Sequence, residues 1–157
     1  MNVPLWVTET AEHFWNLVGN PEPYPRQLRF SMTFAFPITI VEQSPLWTST
    51  IARWLENFGI DCEIVGTDRP LCACLVARAG FAFLFLDSSD PPEEQRFSLA
   101  HELAHFLRDY YLPRKQAVET LGPDVIDVLD GRRPATLEER LHSVLRNVPL
   151  GLHVKLL

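Results

Sequence analysis

The chain has 157 residues, 46% apolar and 22% charged, with a formal net charge of −6. That is long enough to bury a core as a single domain, 1–157, and the composition is that of an ordinary globular protein. The negative charge speaks against direct nucleic-acid binding, which calls for a basic face, and against attraction to an anionic membrane.

No apolar run approaches the roughly 20 residues that span a bilayer. The opening MNVPLWVTETAEHFW lacks the basic-then-apolar order of a signal peptide, so the expected location is the cytoplasm. Three cysteines, Cys62, Cys72 and Cys74, suit a reducing compartment and read as buried filler. C-x-C without a second pair is a poor zinc signal.

In chain order, residues 8–18 form an amphipathic helix that Gly19 can end. Pro21, Pro23 and Pro25 make a stiff connector. RFSMTFAFPITIV, 29–41, is β-branched and aromatic and predicts one or two strands, with Pro37 at a break or edge. Ser44 and Pro45 predict the N-cap and first turn of a helix through Phe58, with Trp47, Ile51, Trp54, Leu55 and Phe58 on its core face and Gly59 closing it.

IDCEIV, 60–65, alternates like a half-buried strand. LCACLVA and FAFLFLD, on either side of Arg78-Ala79-Gly80, predict a β-hairpin whose second arm is apolar on both faces and must be covered on each.

SSDPPEEQRFSLAHELAHFLRDYY then predicts a long helix. Asp90 is its N-cap, Glu93 completes a capping box and Pro113 ends it. Shorter helical pieces follow at RKQAVETL, at PDVIDVLD and at TLEERLHSVLRNV, the last opened by a Thr136–Glu139 capping box. The tail GLHVKLL alternates like the start of a strand. The whole reads as α+β, a small, mostly antiparallel sheet packed against helices.

The chemistry lies in HELAH. Residues four apart on an α-helix are rotated by about 40° and separated by roughly 6 Å. His101 and His105 therefore share a face and can both reach one zinc ion. Glu102, about 100° from His101, cannot comfortably share the metal but can reach a water activated there, as general base. Zn2+ suits two imidazoles with a carboxylate, and Mn2+ or Fe2+ can occupy such sites.

A catalytic zinc usually has three protein ligands. The extended pattern H-E-x-x-H-x-x-G-x-x-H is absent, since Arg108 and Tyr111 stand at its glycine and last histidine. Glu119, Glu138, Glu139, His142 and His153 remain open on chemistry. Glu139 is committed as a capping residue, and Glu119 lies in a short exposed helix.

The order IDCEIV, LCACLVARAGFAFLFLD, PPEEQRFSLAHELAHFL resembles the ImmA/IrrE metallopeptidases, whose helix reads close to RFTLAHELGH. Arg96, Phe97, Leu99, Ala100, His101, Glu102, Leu103 and His105 match it. The resemblance implies a zincin-like helix and sheet, a metal held by His101 and His105, and Glu102 as general base. It also implies a bacterial or phage intracellular protein that cleaves a protein or peptide substrate, such as a helix-turn-helix repressor governing stress-response genes.

The family's third ligand is usually a glutamate in a later helix, within a motif like E-x-x-A-N/D-x-x-A. The nearest phrase here, Glu138-Glu139-Arg140-Leu141-His142, lacks its alanine and Asn/Asp. The expectation is that the chain is the front part of a longer peptidase, its third ligand beyond Leu157. The alternative is a non-catalytic peptidase-like binding or sensor module.

Overall fold

In the computed structural model, residues 4–19, 24, 26–61, 66–150 and 155–156 are described. Helices and a small mixed sheet make an α+β fold, as expected. Helix α1 (Leu5–Val18) precedes α2 (Leu28–Ala35), strand β1 (Ile38–Gln43) and α3 (Thr48–Asn57). The hairpin β2 (Ala73–Arg78) and β3 (Phe81–Asp87) leads into α4 (Pro92–His105). A π-helical stretch (Phe106–Tyr111), α5 (Leu112–Leu121), α6 (Val125–Leu129), α7 (Leu137–Arg146) and β4 (Lys155–Leu156) follow.

The strand order is β1-β3-β2-β4. The hairpin is antiparallel, with Leu75 opposite Leu84, and β4 adds antiparallel to Val76 and Ala77. β1 joins β3 in parallel. The two-residue turn Ala79-Gly80 has positive φ at both positions, 50° and 89°, the backbone hand that matches strand twist. Ala79 adopts it without the freedom of a glycine.

β3 is covered on both faces, as its composition requires. Ala82, Leu84 and Leu86 join Leu75, Leu99, Leu103, Phe106 and Phe14 in the main core. Phe85 faces the other way, with Cys74, Val76 and the α3 residues Ile51 and Leu55. A third cluster of Ala117, Val125, Val128, Leu129 and Val148 ties the C-terminal helices together.

Several expectations are corrected. Residues 28–35 are helical, because their apolar pattern has helical spacing. Met32 and Ser31 are buried beside the partly buried Leu28 and Ala35, while Phe30 and Phe34, four apart, stack on each other outside. Pro37 does mark the break before β1. α3 begins at Thr48, not at Ser44-Pro45. The Leu46 N–H donates to the Asp87 carboxylate, and Trp47 bridges to Pro70. Asp68 then supplies the cap from a distance, accepting from the Ser49 N–H and the Thr48 hydroxyl. Trp47 and Phe58 lie on the surface, whereas Ile51 and Leu55 are buried.

The Asp90–Glu93 capping box does not form. Pro91 precedes another proline and is held extended (φ −56°, ψ 148°), so the helix starts one residue later, at Pro92. Pro113 does not end the helical run either. The π stretch immediately before it widens the helix and shifts the acceptor pattern, so the ring is accommodated in the first turn of α5.

Cys74 is buried but Cys72 is exposed. Cys62, the strand expected over 60–65 from Cys62 onward, and most of the C-terminal tail fall outside the described residues. Among the described residues no helix is long and apolar enough to cross a membrane.

Candidate functional site

α4 crosses the sheet with Leu99, Leu103 and the following Phe106 pressed into the main core. The helix period then fixes what faces away. His101 is exposed and His105 half-buried. Their Nε2 atoms lie 3.2 Å apart. Two nitrogens each 2.0–2.1 Å from a tetrahedral ion would be about 3.3 Å apart, so the pair fits a shared divalent metal as it stands. The Phe97 ring lies beside His101, its centroid 6.1 Å away, and is largely open to solvent.

Glu102 turns toward the sheet and is buried. Burial pushes its carboxyl above the usual range, against the opposing pull of His105 and of the Leu75 backbone amide. Its Oε2 has no hydrogen-bond partner among the described residues. A buried carboxylate oxygen without a donor, one residue from a histidine pair, suits a group that awaits a proton or a water.

His105 has a partner absent from the sequence reading. Its Nδ1 lies 2.9 Å from Asp109 Oδ2. Arg108 grips the same carboxylate twice, Nε to Oδ1 and Nη2 to Oδ2, each at 2.7 Å. Hydrogen bonding from Arg108, with His105 adding to it, lowers the Asp109 carboxyl to about 2. The Trp6 ring of α1 lies under the Arg108 guanidinium, 5.3 Å from it. The available signal was the spacing: Asp109 follows His105 by four on a helical run, one turn further along the same face.

The third-ligand candidates do not converge on the histidines. Glu119 is exposed and within 3.9 Å of Lys115. Glu138 and His142 are exposed on α7. Glu139 closes the expected capping box with Thr136 and forms two bonds to Arg133. His153 falls outside the described residues. Among the described residues, no group of three or more His, Cys, Asp or Glu side chains is placed to hold a metal.

The far flank of α4 borders a cavity of about 440 Å³ shared with α1, lined by Trp6, Phe14, Leu28, Arg96, Ala104 and Leu107. The small Ala104 opens onto this space.

Neither the curated proteins nor the solved structures include a match to the chain. Residues 66–125 match the family model of the IrrE N-terminal-like domain, Peptidase_M78. That span contains the hairpin, α4 with its histidines, the π stretch and α5. The match agrees with the resemblance read from the α4 sequence: across residues 66–125 the chain is similar to a metallopeptidase-like domain, consistent with the ImmA/IrrE family.

Proposed function

We propose that the protein is a cytoplasmic metal-dependent endopeptidase of restricted specificity, acting on a regulatory protein such as a helix-turn-helix repressor. The observation that carries this reading is the approach of the two Nε2 atoms beside the buried Glu102. His101 and His105 would hold the ion, for which Zn2+ is the best match to the donor set and Mn2+ or Fe2+ the other candidates. Bound there, a divalent ion supplies a Lewis acid that polarises the scissile carbonyl and acidifies water.

The chain's own residues do the rest. Glu102, kept from bulk water, takes the proton of the attacking water and passes it to the leaving amine. Its raised pKa brings its basicity closer to that needed to accept a proton near neutrality. Phe97, exposed beside His101, offers an apolar surface to a substrate side chain.

A second reading rests on the histidine pair having no third ligand among the described residues: a peptidase-like module that binds a regulator without cleaving it. The test is cleavage of candidate repressors by the zinc-loaded protein, beside Glu102→Gln. An endopeptidase loses cleavage by a factor of about 10² or more in the variant and keeps substrate binding. Binding that is unchanged by Glu102→Gln, with no cleavage by either protein, supports the module and sinks the enzyme.

A further inference from the structure

Two histidines at helical spacing become a metal site only if each ring offers the right nitrogen. A neutral imidazole carries one proton, on Nδ1 or on Nε2, and only the bare nitrogen can coordinate. An isolated His105 ring would be free to place its proton on Nε2, facing His101, where it would block the ion. Its χ2 would be free to turn as well.

The structure removes both freedoms. Asp109 Oδ2 is 2.9 Å from His105 Nδ1, and an ionised carboxylate can only accept. The proton of a neutral His105 therefore lies on Nδ1, and Nε2 is left bare on the side of His101. Asp109 is itself held. Arg108 bonds both of its oxygens, its Nη2 standing at a longer 3.4 Å from Nδ1. Trp6 backs the guanidinium from α1. The arrangement runs Trp6, Arg108, Asp109, His105, and ends at the open nitrogen.

From this geometry we infer that Asp109, locked by Arg108, is a positioning residue for the metal: it fixes the tautomer and direction of His105. The inference rests on the metal-site reading above and deepens it. A carboxylate bonded to the far nitrogen of a ligating histidine also raises that ligand's basicity, and its loss typically costs about 10- to 100-fold in metal affinity.

The experiment compares wild type, Asp109→Asn and Asp109→Glu by two readouts. The first, nitrogen-15 NMR of the metal-free imidazoles above their titration range, identifies the protonated nitrogen of His105. The second is titration with Zn2+. Wild type is expected to carry its proton on Nδ1. Asp109→Asn is expected to show mixed tautomers and zinc binding weaker by about 10- to 100-fold, and Asp109→Glu to recover part of both.

An Nε2 proton in wild type, or zinc affinity unchanged in Asp109→Asn, overturns the assignment. If wild type holds the Nδ1 proton yet binds no zinc, the metal-site reading itself fails. The role assigned to Asp109 then falls with it, although the hydrogen bond stands. Far-ultraviolet circular dichroism of Asp109→Asn separates a lost contact from a lost helix.

Discussion

His101 Nε2 and His105 Nε2 lie 3.2 Å apart on one turn of α4, while the other face of that turn is pinned by Leu103 in the core. The rings are thus held near the spacing that a shared divalent ion would require. Binding to the folded state alone should raise the unfolding temperature. With zinc at about 100 times its dissociation constant the gain is about 2.7 kcal/mol, or about 5–10 °C for a chain of this size. Differential scanning fluorimetry with and without zinc checks this. His105→Ala should unfold at the same temperature in both.

Leu84 is fully buried at the centre of β3, opposite Leu75 and under α4. Leu84→Ala leaves a cavity that the two flanking strands cannot close. The expected loss is about 2–5 kcal/mol, read as a lower urea midpoint with an unchanged slope. A loss below about 1 kcal/mol would mean that the sheet repacks freely.

Ala79 occupies the left-handed region at φ 50°, which costs an ordinary residue roughly 1–2 kcal/mol. Asparagine tolerates that conformation better and would make the turn Asn-Gly, the preferred pair for this hairpin. Ala79→Asn should therefore stabilise the protein by about 0.5–1 kcal/mol, measured by chemical denaturation. Destabilisation would show that the turn is not strained.

Glu139 is held at about 2 instead of 4.5, first by Arg133 and then by the Thr136 amide. A depressed carboxylate stabilises the fold above its unfolded value, and that contribution is lost as pH falls from about 4.5 toward 2. Thermal melts of wild type and Glu139→Gln should differ most near neutral pH and converge as pH falls through that window. A constant gap down to pH 2 would rule out the ionised carboxylate as the cause.

The sequence was most legible where local pattern and tertiary packing agree. The β2–β3 hairpin declares itself through Ala79-Gly80 between two apolar runs, and the side-by-side placement of His101 and His105 through their four-residue spacing. The Thr136–Glu139 box was readable because both partners are three residues apart. The failures share a different cause. α2 looked like a strand because phenylalanine and threonine favour strands, and only packing against α4 and α1 shows that Ser31 and Met32 turn inward while Phe30 and Phe34 stay outside. The α3 cap comes from Asp68, twenty residues after Thr48, and no local rule reaches that far. Asp109 was within reach of the helical-spacing rule, four residues after His105 on the same helical run.

The π stretch Phe106–Tyr111 sets the phase between two ends of one rod. Upstream, the rod presents imidazoles to solvent. Downstream, the Tyr110 hydroxyl accepts from the Gly80 N–H at 2.6 Å, and Arg114 meets the buried Asp130 at 2.7 Å. A π turn takes one more residue than an α turn. Were residues 106–111 wound as an ordinary α-helix with none removed, everything after them would swing by about 100°. The hairpin latch and the Arg114 pair would then point the wrong way, although every side chain forming them was still present. The wide winding of this stretch, which takes up the extra residue, is what keeps the histidine end and the hairpin end of the helix in step.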